Sequence, residues 1–158
     1  MKPTKENTLY LPIKQVYFDS ILAGTKKEEY REIKDTTFKK YIETWKEGNE
    51  EGLIYNDELV SEDQGLDIMM YNNGVYPFLP IDYKYLKLAV GYEKDRDTAI
   101  VEVVDISFEL AKDKNGKIVR FFWDEVNGFR ADDKGDSAIW NVVYHLGEVI
   151  EKDLKSER

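Results

Sequence analysis

Residues 99–110, AIVEVVDISFEL, constrain the fold of this chain more than any other stretch. β-Branched residues dominate it, and apolar and polar positions are interleaved: Ile100 with Glu102, Val103 with Asp105, Ile106 with Ser107. A strand of that length exposes a row of backbone N–H and C=O groups that other strands must pair. Candidates for that pairing lie on both sides in the chain. Residues 9–14 (LYLPIK) read as a short first strand, with Pro12 favouring an edge or a bulge. Residues 26–33 form a polar strand, and residues 65–71 (GLDIMMY) a buried one ended by the turn Asn72-Asn73-Gly74. After a Pro-containing loop, residues 83–92 continue the pattern. The turn Asn115-Gly116 closes a hairpin into residues 118–123, and 130–136 is a charged loop. Residues 139–150 (IWNVVYHLGEVI) are read as a strand, because Val142, Val143, Tyr144 and Val149 favour extended structure.

Helical spacing is confined to the first third. Tyr17, Phe18, Ile21 and Leu22 recur at intervals of three and four, which predicts a short helix over 15–23 with Gly24 as a left-handed stop. A second helix is expected from Asp35, with Phe38, Tyr41, Ile42 and Trp45 on one face and Gly48 ending it. Six or seven strands with two early helices predict an α+β fold, a small mixed β-barrel in one domain spanning 1–158. The acidic, Gly- and Asn-rich stretch at about 48–63 reads as an insertion in that domain.

The chain carries a formal charge of −9, but the charge is not spread evenly. Residues 41–67 hold nine acids against Lys46 alone, so this segment accounts for −8 and the remainder is close to neutral. No broad basic face is available for nonspecific duplex binding, while a small local basic site is compatible with the count. The absence of cysteine removes thiol chemistry and disulfides, and with His145 the single histidine, a Cys/His zinc site has no ligands. Neither an apolar leader nor an apolar run of bilayer length is present, so a soluble, cytoplasmic protein that makes no membrane contact is expected. His145, flanked by Tyr144 and Leu146, reads as a packed and hydrogen-bonded side chain.

The densest chemistry lies in residues 21–31, ILAGTKKEEYR. At period two, Lys27, Glu29 and Arg31 share one strand face and Glu28 and Tyr30 the other, while Lys26 sits at the helix-to-strand turn. A carboxylate beside a guanidinium stays ionised with fixed acceptor geometry. Exposed, such a pair is an ordinary solvated strand; enclosed, it is the wall of a polar pocket.

The run LPIKQVYFDSILAGTKKEEYR resembles the opening of the ASCH domain, a branch of the PUA-like superfamily. That family shows a strand ending in a basic residue, a helix of the form YFxxIxxG and the motif G-x-K-x-x-E-x-R. Gly24, Lys26, Glu29 and Arg31 stand at its four fixed positions, and Lys14 ends the preceding strand. AIVEVVDISF is similar to the family's central strand and YHLGEVI to its final one. The resemblance implies a PUA-like barrel with the early helix packed beside the motif strand. It also implies an RNA- or nucleotide-binding cleft formed by Lys14, Lys26, Glu29 and Arg31, with no cofactor and no metal. Lysine and arginine would face phosphate or base and the glutamate a base edge, with Tyr10, Tyr92, Trp123 and Trp140 as stacking candidates. One group in the family resembles an amidohydrolase of acylated cytidine, with a Lys, a Thr nucleophile and a distant Glu. Lys26 matches that Lys, but Glu29 occupies the Thr position and Thr25 is out of register. As an enzyme, the chain would use Lys26 with Glu29 as general base on a modified nucleoside; binding is favoured over catalysis. A third reading is a protein-interaction module whose acidic segment docks a basic partner.

Overall fold

The computed structural model describes residues 1–61, 65–92 and 94–155. Among the described residues the chain is mostly β, with one α-helix. Strands β1 (Thr8–Ile13), β2 (Glu28–Glu32), β5 (Tyr85–Val90), β6 (Thr98–Leu110) and β10 (Trp140–Asp153) form a five-stranded sheet in the order β1-β5-β6-β10-β2. β3 (Thr44–Glu47) and β4 (Glu50–Leu53) form a hairpin, and β7 (Arg120–Asp124) lies between β8 (Gly128–Ala131) and β9 (Ser137–Ala138) in a three-stranded sheet. A mixed α+β fold is as expected, but the sheets do not close into a barrel. The chain divides into two compact units: Met1–Glu29, Asp82–Ser107 and Val143–Arg158 make the first, and Tyr30–Ile81 and Phe108–Val142 the second.

In the first unit, β1 lies at the sheet edge, parallel to β5, where Pro12 costs no interior ladder bond. Its alternation buries Leu9, Leu11 and Ile13 and turns Tyr10 outward. The helix α1 (Gln15–Leu22) buries Phe18 and Ile21, whereas Tyr17, expected on the apolar face, is 47% exposed. β5 is buried on both faces, with Leu86, Leu88 and Ala89 wholly enclosed. Gly147 in β10 has a packing reason: a Cβ there would stand 2.8 Å from Val104 Cγ1 and 3.2 Å from Glu102 Cβ.

In the second unit, two sequence expectations are corrected. The second helix is reduced to one 3-10 turn at Phe38–Lys40. Thr37 Oγ1 accepts the Lys34 N–H at 3.1 Å and donates to the Glu32 carbonyl at 3.3 Å, local bonds that compete with helix propagation. Trp45 then enters β3, where its indole covers Gly52 of β4 so closely that a Cβ at Gly52 would lie 2.6 Å from Nε1. The stretch read as an acidic insertion thus begins within the β3–β4 hairpin, and its Glu62 and Asp63 lie outside the described residues. The strand expected at 65–71 is also absent. Leu66 and Ile68 are buried in alternation, but the segment turns on itself through Met70 N–H to Asp67 O at 3.2 Å, leaving one bridge, Met70 to Ser137. The Asn72-Asn73-Gly74 turn forms as read, with positive φ at all three residues.

Candidate functional site

The helix α1 positions the first half of the motif. Lys14 has extended backbone (φ −75°, ψ 146°), and its carbonyl accepts the Tyr17 and Phe18 N–H groups at 3.1 and 3.0 Å, starting the helix and leaving the side chain exposed. At the other end, Gly24 takes φ +78°. The Ser20 carbonyl then accepts the Thr25 and Lys26 N–H groups at 3.0 and 3.1 Å. This cap anchors the Lys26 backbone. Its ammonium lies 5.3 Å from the ring centroid of the surface-exposed Tyr17, a cation–π contact.

β2 follows with the parity expected from period two. Glu29 is 7% exposed and Arg31 half-buried, while Tyr30 between them is 42% exposed. Glu29 and Asp97 are the buried charged side chains among the described residues. Asp97 has a structural account: Oδ1 accepts the Lys155 N–H at 2.7 Å and Oδ2 the Gln15 amide at 3.4 Å. Glu29 carries its carboxylate on the motif strand, where burial strengthens the electrostatic interactions it makes. The motif is shared between the two units: Lys14, Lys26 and Glu29 belong to the first, Arg31 to the second. Within the second unit, burial pushes the Tyr41 phenol above its ordinary value, and the Arg31 charge opposes that rise.

The outward face of β2 holds a group that sequence reasoning did not assemble. Glu28 Oε1 lies 3.8 Å from His145 Nδ1, and His145 Nε2 lies 2.7 Å from Ser107 Oγ. The three residues stand on neighbouring strands β2, β10 and β6. His145 is therefore hydrogen-bonded as expected, though 31% of its side chain is exposed. At 3.8 Å the carboxylate is an electrostatic neighbour of the ring and not its hydrogen-bond acceptor. Only cross-strand register creates the grouping, and no local spacing announces it.

The four stacking candidates separate cleanly. Trp140 is 2% exposed, and its indole N–H donates to the Met70 carbonyl at 2.8 Å, so it is a core residue and presents no stacking face. Tyr10 is 45% exposed with the Arg96 guanidinium 5.6 Å from its ring centroid. Tyr92 and Trp123 are exposed. In the acidic segment, Lys39 ion-pairs with Glu51 at the surface. No helix among the described residues is long and apolar enough to cross a membrane, and none of their His, Asp and Glu side chains group in threes in a way that would hold a metal ion. No family model, no curated protein and no solved structure matches this chain.

Proposed function

We propose that the chain binds RNA or a modified nucleoside or nucleotide through the Lys14–Arg31 stretch. Lys14 and Lys26 meet phosphate, and Glu29 accepts from the amino edge of a base. The observation that carries this reading is the buried Glu29 carboxylate on the strand that follows the anchored Lys26, in the register of G-x-K-x-x-E-x-R. A carboxylate fixed in position discriminates bases by accepting from an amine, and a nearby ammonium supplies affinity without sequence preference. Arg31 enters the reading as the fourth motif position. The two lysines supply the local positive charge that the near-neutral remainder of the chain permits.

Fluorescence anisotropy with short labelled single-stranded RNAs, at low and at physiological salt, tests this. Binding should weaken with salt, and Lys26→Ala should lower the salt slope by about 0.7 for each phosphate that the lysine neutralises. Glu29→Gln should change base preference more than affinity. Absence of binding at low salt, or wild-type binding by Arg31→Ala, would remove the proposal. Release of cytidine from an N4-acylated cytidine, abolished in Lys26→Ala and Glu29→Gln, would instead select the amidohydrolase reading.

A further inference from the structure

Ser107, His145 and Glu28 all belong to the first unit and lie on three strands paired side by side, β6, β10 and β2. The strands fix their mutual positions. Tyr144 and Leu146, which strand parity directs to the face opposite His145, are buried. The Leu146 N–H donates to the Lys27 carbonyl at 2.8 Å, which pins β2 to β10 beside the imidazole. Side chains carried on paired strands hold their geometry more closely than side chains on loops.

Two contacts define the chemistry of the group. Ser107 Oγ and His145 Nε2 are 2.7 Å apart, within hydrogen-bond range, and Glu28 Oε1 stands 3.8 Å from the other ring nitrogen, Nδ1. A carboxylate on the Nδ1 side favours the tautomer with its proton on Nδ1. Nε2 is then the acceptor, and the Ser107 hydroxyl donates to it. A hydroxyl hydrogen-bonded to a base that a third group orients is the arrangement of an activated nucleophile. When Nε2 takes the hydroxyl proton, the ring becomes a cation, and the Glu28 charge stabilises it from 3.8 Å without a hydrogen bond in the resting state. The His145 and Glu28 side chains are 31% and 40% exposed, so both a substrate carbonyl and water can reach the group.

We infer that Ser107 is a nucleophile with His145 as its general base and Glu28 as a positioning residue, and that the group hydrolyses small, uncharged, activated carboxylic esters. Ser107 Oγ bonds to the ester carbonyl carbon as its proton passes to His145 Nε2. The bond to the alcohol oxygen then breaks, and that oxygen leaves with the proton. Water attacks the resulting seryl ester and gives a proton to Nε2, which returns it to Ser107 Oγ as the carboxylic acid departs. The Glu28 charge disfavours an anionic acyl group. Stabilisation of an oxyanion is weak where water screens it, which restricts the reaction to esters with good leaving groups. Glu29 points to the other face of β2, so this activity stands apart from the motif.

Hydrolysis of p-nitrophenyl acetate by the full-length protein, with peptide mapping of quenched samples, tests the inference. The expected result is turnover above the buffer rate and an acetyl group on Ser107. A fluorophosphonate should label the same hydroxyl in the wild-type protein, a measurement that needs no variant. Ser107→Ala should remove turnover and label, and His145→Gln should slow acylation about a hundredfold. Glu28→Gln should lower kcat about fivefold at unchanged KM, the effect of one charge at that distance in a water-like medium, and Glu28→Asp should restore part of it. Thermal melts of the variants separate these losses from unfolding. The inference is overturned by the absence of wild-type turnover, a label mapped away from Ser107, or an unchanged rate in Ser107→Ala or His145→Gln. A stoichiometric acetyl adduct without turnover overturns the hydrolysis as well.

Discussion

Removing the Tyr76 hydroxyl should make the protein more stable, the reverse of what truncating a buried side chain normally does. Tyr76 is 5% exposed and its ring is held on three sides: stacked on Phe108 at 4.2 Å between centroids, edge-on to Phe78 at 5.6 Å and tilted against Trp140 at 5.0 Å. Tyr76→Phe retains all three contacts and deletes only an oxygen that has no hydrogen-bond partner among the described residues. Leaving such a group buried costs about 1–3 kcal/mol, so the variant should gain that amount. For a chain of 158 residues each kcal/mol moves Tm by about 2–4 °C, which places the expected rise at roughly 2–12 °C. The gain should also depend on pH with a definite sign. Burial, with the Asp67 charge adding to it, raises the phenol far above its ordinary value. The unfolded chain therefore ionises Tyr76 near pH 10 while the folded chain keeps it neutral. Wild-type stability is fully present below pH 10 and falls as pH rises from there towards the folded value. The phenylalanine variant has no such decline, so the gap between the two proteins widens beyond pH 10. Urea melts of both proteins at pH 7 and above pH 10 measure the two effects. A variant equal to or less stable than wild type at pH 7 would refute the reasoning, because it would mean that the hydroxyl has a partner such as a bound water.

Gly135→Ala should destabilise the second unit by about 1–3 kcal/mol or more, because the added Cβ would collide with the Phe121 carbonyl, a backbone atom that cannot rotate away; a thermal melt within 1 °C of wild type would contradict this. Asp97→Ala should cost about 1.5–3 kcal/mol by removing the acceptor for the Lys155 N–H, and amide exchange at Lys155 should accelerate before the melt shifts. The Asp124 carboxylate accepts the Asn127 and Val126 N–H groups at 2.6 and 2.9 Å, and the Asn127 bond foremost holds its pKa below the usual aspartate value. Its contribution to the β7–β8 turn is thus present above that ordinary value and lost as pH falls through the lowered one. Exchange at Asn127 should rise on acidification in wild type and be high at every pH in Asp124→Ala; identical profiles would exclude the cap. Gly147→Val should disrupt the approach of β10 to β6 at Val104 and Glu102, read as increased exchange at Glu148, whose N–H donates to Glu102 at 3.1 Å.

Those parts of the fold that depend on a few neighbouring residues are legible in the amino-acid order. The helix over 15–22 with its Gly24 stop, the Asn72–Gly74 turn and the long strands β6 and β10 follow from side-chain period and from backbone chirality, which act within one short window. The parity of β2 was legible for the same reason: Glu29 and Arg31 alternate with Tyr30. Which of the two faces would be covered was not, since that depends on what packs against the strand. Trp45 had helical spacing from Phe38 yet became a strand residue because Gly52 opposite offered its ring a place. Residues 65–71 kept the alternation of a strand without acquiring a ladder, because hydrogen bonds within the segment took up backbone groups that a partner strand would have used. The grouping of Glu28, Ser107 and His145 was decided by tertiary structure alone, since they meet through strand register. Residues separated by tens of positions come together only when loops close and sheets pair, and no periodicity in one window encodes that distance.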